Sequence, residues 1–153
     1  MKKGYIYLRY HPSYKLKGKT LIKLGGTSDP VKRESTYKTG EPVKGNYLKI
    51  FEVDNWQMVE YLLQDLYKDY HFDGSGGNEF YDFGIIHMIE CTLTHLGIPF
   101  KYVNINEINV KCREHELQKK IIQKLKKITI VKKYYRRLEG LKRQREKSCK
   151  RDR

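Results

Sequence analysis

Cysteine is scarce in this chain, and its scarcity removes two classes at once. The three thiols, Cys91, Cys112 and Cys149, are odd in number, widely spaced and without a Cys-x-x-Cys pair. Neither a disulfide framework nor a structural zinc finger is expected. Long apolar runs are missing too: no stretch reaches the roughly 18 residues that cross a bilayer. Met1-Lys2-Lys3-Gly4 lacks the apolar core of a signal peptide, so the expectation is an intracellular protein, in cytoplasm or nucleus, with no membrane partner. The stretch Asp73-Gly74-Ser75-Gly76-Gly77 lacks the Gly-Lys-Ser/Thr ending of a phosphate-binding loop and reads as a turn. No Trp or Phe follows residue 110, which disfavours insertion of the tail into a membrane surface.

What the chain has in excess is positive charge, unevenly placed. The formal net charge is +14; residues 1–110 hold 14 Lys and Arg against 13 Asp and Glu, and residues 111–153 hold 18 against 5. A charge step of this kind points to a polyanion, nucleic acid first, because each cation set against a phosphate releases a condensed counterion. The length of 153 residues suits one compact domain with an appendage. The expected division is a domain at 1–97, a connecting segment at 98–110 and a basic helical tail at 111–153.

Along the chain, Gly4 to Tyr10 alternates as a strand and Thr20 to Gly25 as a second, with a polar hairpin loop at His11–Lys19 between them. Asp29 or Ser28 is placed to cap a helix with Pro30 in its first turn, ending near Thr39-Gly40. Tyr47 to Val53 reads as a third strand. Asp54 or Asn55 is expected to cap a helix from Trp56 to about Tyr70, and a further helix is expected over Asp82 to Leu96. Ile98 to Val103 reads as a short extra strand or a docking segment. From about Lys111 to Lys147, Leu117, Ile121, Leu125, Ile128, Tyr135 and Leu138 recur at helical intervals and predict one long amphipathic helix. His87, Cys91 and His95 lie four apart, but the outer two are about 12 Å apart along a helix axis, too far to share one metal ion.

The chemistry gathers near the N-terminus. Gly4-Tyr5-Ile6-Tyr7 precedes a strand end at Lys23-Leu24-Gly25, and Arg33 and Tyr37 follow at one helical turn from each other. A guanidinium and a phenol then share a helix face beside a strand pair carrying another phenol. Arginine grips phosphate bidentately and tyrosine moves protons. Taken singly, Tyr5 and Tyr7 are ordinary strand aromatics, Arg33 a solvated helix residue and Glu60 a surface carboxylate; the joint spacing singles them out.

At these residues the sequence resembles the GIY-YIG nucleases, over roughly residues 4 to 83, in the shorter phage or viral type. Gly4-Tyr5-Ile6-Tyr7 looks like the first motif, Lys23-Leu24-Gly25 like the second with Lys23 in place of tyrosine, Arg33 to Tyr37 like the Arg-x-x-x-Tyr helix, and Gly77-Asn78-Glu79-Phe80-Tyr81 like a closing motif. The resemblance implies an α/β fold, a three-stranded antiparallel sheet flanked by helices, here followed by a long basic C-terminal helix. It implies a DNA endonuclease in which Tyr7, Lys23, Arg33 and Tyr37 are catalytic and Glu60 holds one Mg²⁺ or Mn²⁺ ion. Gly25, Asn78 and Glu79 would support the site. Tyr7 is the first choice of general base, with Lys23 either lowering its pKa or touching the scissile phosphate.

The tail would contact DNA, most readily double-stranded, through Lys119, Lys120, Lys126, Lys127, Lys132, Lys133, Arg136 and Arg137. The rival reading is a nuclease-like module that binds nucleic acid without cutting. A third is an interaction protein whose residues 117–138 pair with a partner helix or a second copy.

Overall fold

The computed structural model describes residues 3–37, 45–72 and 79–151, excepting the side chains of residue 135 and residues 141–151. Met1–Cys112 and Arg113–Arg153 form two separate units. In chain order the elements are β1 (Lys3–Tyr10), β2 (Lys15–Leu16), β3 (Lys19–Thr27), α1 (Pro30–Tyr37), β4 (Asn46–Asp54), α2 (Trp56–Leu66), β5 (Phe80–Asp82), α3 (Met88–His95), β6 (Phe100–Tyr102) and α4 (Ile105–Arg151).

The sheet runs β2-β3-β1-β4-β6 with β5 also on β3, and every pairing is antiparallel. The expected three strands are its centre, β3-β1-β4, and three short strands extend it. Elements of two or three residues are too short to establish an alternation, which is why a periodicity reading passes over them. Lys17 and Gly18 turn β2 into β3 with φ of 48° and 78°. Positive φ at both central residues is what a tight hairpin turn requires to match strand twist, so the loop expected at His11–Lys19 contains a hairpin of its own.

Strand alternation sorts the side chains of β1 onto two faces. Ile6 and Leu8 join Ile22, Leu24, Phe51, Val59, Leu63, Ile85, Ile89 and Leu93 in the larger core. Tyr7 joins Tyr47, Ile50, Ile108 and Cys112 in a second cluster, with Tyr5 and Val31 against it. The site residues of β1 therefore belong to the face that α1 covers.

The helix ends differ from expectation where backbone geometry overrides side-chain capping. Asp29 Oδ1 accepts from the Val31 and Lys32 N–H groups at 2.9 and 3.0 Å, the cap expected for α1. Asn55 precedes α2 but sits in the left-handed region, φ 50°, and makes no side-chain cap bond; its carbonyl instead receives the Met58 and Val59 N–H groups. That helix ends at Leu66, followed by a 3₁₀ turn at Lys68–Tyr70. The helix expected from Asp82 is preceded by β5 and by a 3₁₀ turn at Phe83–His87, so that α3 begins only at Met88.

The long helix begins at Ile105, earlier than the expected Lys111, because Asn104 accepts from the Asn106 N–H at 3.0 Å and so caps it. Ile108 and Cys112 on its first turns are buried in the second cluster. Farther along, Leu117, Ile121, Leu125 and Ile128 are each about half exposed or more. Among the described residues, no helix is long and apolar enough to cross a membrane.

Candidate functional site

Strand β1 presents Tyr7 and, two residues on, Arg9 toward α1. Tyr7 is paired across the strands with Gly25, and a Cβ at Gly25 would stand 2.5 Å from the Tyr7 hydroxyl. The absent side chain is thus the space in which the phenol lies. Helix α1 then brings two groups to that phenol. The Tyr37 and Tyr7 hydroxyls are 2.6 Å apart, and Arg33 donates from Nε to the Tyr7 oxygen at 3.3 Å. The Arg33 guanidinium lies 5.1 Å from the Tyr37 ring centre, so the one-turn spacing read from the sequence does place both on one phenol.

The position of α1 is fixed by residues the sequence reading missed. Arg9 grips Glu34 with two N–H groups, Nε to Oε2 at 2.9 Å and Nη2 to Oε1 at 3.2 Å. Both side chains are buried, at 0% and 4% exposure. The same guanidinium donates from Nη1 to the Tyr14 hydroxyl at 2.6 Å and lies 4.1 Å from the Tyr37 ring centre. The Tyr47 hydroxyl donates to the Pro30 carbonyl at 2.8 Å and holds the start of the helix. A sequence signal for the pair existed: Arg9 shares the strand face of Tyr7, and Glu34 is the neighbour of Arg33. Charged residues are so commonly solvated that neither stood out.

Lys23 projects from β3 toward the same ring, 5.0 Å from the Tyr37 centroid and 5.4 Å from that of Phe80. Its ammonium is ion-paired with Glu79. The Tyr7 phenol is shifted by burial, Tyr37 and Arg33. Burial pushes the Tyr7 phenol above its ordinary range, and repulsion from Tyr37 adds to it; Arg33 opposes the shift but does not cancel it. Tyr37 is also raised, chiefly by burial. Arg33 is pushed up in turn, first by its bond to Tyr7, and stays a fixed cation.

Glu60 reaches the site from α2, on the other side of the sheet. Trp56, one helical turn earlier, packs its ring over Gly4 and Gly26, where a Cβ would collide with it. Glu60 Oε1 then accepts from the Gly26 N–H at 2.7 Å. Upstream on β3 the Leu24 N–H is taken by the Glu79 carbonyl, so the carboxylate continues the line of acceptors along that strand edge. Burial raises the Glu60 pKa first; the Gly26 N–H, Arg33 and Lys23 lower it, and Glu79 raises it. Glu60 is therefore within electrostatic reach of both site cations. Asn78 lies outside the described residues. Lys119, Lys120, Lys126, Lys127, Lys132, Lys133, Arg136 and Arg137 are exposed on α4, in the second unit.

A divalent cation suits the donor at Glu60, since a carboxylate oxygen is hard. Among the described residues no group of three His, Cys, Asp or Glu forms an all-protein metal cage. A hard cation held by one carboxylate takes its remaining ligands from water and phosphate.

Comparison with known proteins corrects one expectation. The profile of the T5orf172 domain matches residues 4–93, and no GIY-YIG profile matches. Short motifs and one helical spacing suggested the GIY-YIG assignment; a profile weighs the whole stretch, and Lys23 already departed from the motif. No curated protein and no solved structure matches the chain. The matched segment is more than half of the sequence and contains Tyr7, Arg33, Tyr37 and Glu60, and the chain belongs to the T5orf172 domain family, a family of nuclease-like, DNA-binding domains.

Proposed function

We propose that this domain is a DNA endonuclease that hydrolyses a phosphodiester with water and one Mg²⁺ or Mn²⁺ ion. The observation that carries the reading is the contact of Tyr7, Arg33 and Tyr37 on one sheet face, with Glu60 held at the adjacent strand edge. Arg33, anchored through Nε, offers the rest of its guanidinium fork to the phosphate and offsets charge that builds in the transition state. Tyr7 is fully buried, which denies it a direct attack on phosphorus and leaves water as the nucleophile. Tyr37 is partly exposed and hydrogen-bonded to Tyr7. With Tyr7 as phenolate, Tyr37 takes the proton of the attacking water while passing its own to Tyr7, the P–O bond to the leaving oxygen breaks, and that oxygen takes a proton from solvent. Glu60 would hold the cation, which supplies charge neutralisation at the phosphate when bound. The exposed cations of α4 add contacts to phosphates irrespective of sequence.

Incubation of the protein with supercoiled plasmid and Mg²⁺ or Mn²⁺ tests the reading. Nicked and linear products, lost on chelation and in Arg33→Ala, are expected. The engagement of Lys23 by Glu79 and the raised phenols favour a second reading, a binding module without cleavage. A protein that shifts DNA in a gel yet leaves plasmid supercoiled under all these conditions establishes it.

A further inference from the structure

Leu117–Leu138 on α4 holds nine Lys and Arg in 22 residues and no Asp or Glu. DNA accounts for these cations and not for the aliphatic side chains among them. Leu117 is 61% exposed, Leu125 57% and Ile130 68%, and exposed apolar surface on this scale marks an interaction site.

The distribution of these residues around the helix decides what covers them. At 3.6 residues per turn, Leu117, Ile121, Leu125 and Ile128 lie within about 80° of one another. Ile122 lies about 60° beyond Leu125, the edge of that seam, and Ile130 about 140° from either edge, on the back of the helix; both are more than half exposed. A partner along that seam alone leaves Ile130 in water and Ile122 at its margin. A second copy of this chain meets a further obstacle: Lys132 lies within the seam, Lys124 and Lys127 flank it and the segment has no acid, so cations would meet cations. A membrane surface takes apolar groups from one side and favours Trp or Phe, which the segment lacks.

We propose that Leu117–Leu138 is a docking helix for an acidic protein of the EF-hand kind, which encloses it between two apolar lobes. Charge complementarity selects an acidic partner. Ile121, Leu125 and Ile128, at i, i+4 and i+7, are anchors of the kind that such grooves read, and Ile122 and Ile130 supply apolar surface to the opposite lobe. Partner and DNA use the same cations, so each excludes the other, and the partner would release the tail from DNA. This regulation is independent of whether the domain cuts.

The test uses the full chain, with calmodulin as probe in Ca²⁺ and in EGTA, and polyglutamate of matched charge as control. Binding to calmodulin at about micromolar Kd or tighter is expected. The double variant Ile122→Gln/Ile130→Gln, which keeps every charge, should weaken calmodulin at least about tenfold while DNA affinity stays within about twofold. A short DNA duplex should compete with calmodulin. Absence of binding in both Ca²⁺ states overturns the proposal, as does a double variant that binds like the parent. Polyglutamate binding as tight as calmodulin overturns it in favour of unspecific charge attraction. A dimer in light scattering that dissolves in the double variant overturns it in favour of self-pairing.

Discussion

The hydroxyls of Tyr7 and Tyr37 are 2.6 Å apart, joining a fully buried phenol on the central strand to a half-buried one on the first helix. Both are pushed above the ordinary tyrosine range by burial. A base with a raised pKa is strong and scarce: its active, deprotonated fraction grows about tenfold per pH unit until the pKa is reached. Cleavage should therefore climb with a slope near +1 in log rate between about pH 6.5 and 9, and Tyr7→Phe should abolish it. A rate that levels near pH 7 in the parent protein would assign the proton to another group.

Glu60→Gln keeps an oxygen for the Gly26 N–H and removes the charge a hard cation needs. Cleavage should fall at least about a hundredfold while DNA affinity changes little. Plasmid nicking by the purified variant at the parental rate would show that no cation is held there.

The Arg9–Glu34 pair is buried on both sides, so losing one partner strands the other. Glu34→Gln should cost about 3–5 kcal/mol in urea unfolding, and the double change Arg9→Met/Glu34→Leu should cost less than either single change. Additive single-site losses would contradict the pairing.

Gly25→Ala places a methyl group 2.5 Å from the Tyr7 hydroxyl. The phenol must move, and the bonds to Tyr37 and Arg33 move with it. The expected outcome is a stability loss of about 1–3 kcal/mol with cleavage reduced far more than DNA binding. Equal loss of both would indicate general unfolding, which circular dichroism checks.

Truncation belongs after Cys112, not earlier, because Ile108 and Cys112 are core residues. With five or six tail cations on phosphates, the slope of log K against log salt should be near −5 and should largely vanish in the truncated protein. A folded truncation with the parental slope would remove the tail from the DNA interface.

Local features were legible because local physics produces them. Pro30 and the cap at Asp29 start α1, alternation marks β1, β3 and β4, and the one-turn spacing of Arg33 and Tyr37 reflects helical pitch. The basic character of the tail is a count of residues and owes nothing to folding. The sequence by itself also settled that the chain lacks the cysteine pattern of a disulfide framework or zinc finger.

Only the tertiary structure decided the rest, since it concerns groups far apart in the chain. Strand β5 pairs with β3 across more than fifty residues, and no periodicity in three residues announces such a pairing. Glu60 meets the Gly26 N–H because α2 packs over the far side of the sheet. Arg9 and Glu34 look like surface charges until the sheet and α1 close over them. Burial also set the direction of the Tyr7 pKa: desolvation of a phenol in the core outweighs the neighbouring Arg33. Sequence spacing names the groups, and the dielectric around them, which only packing creates, determines what they do.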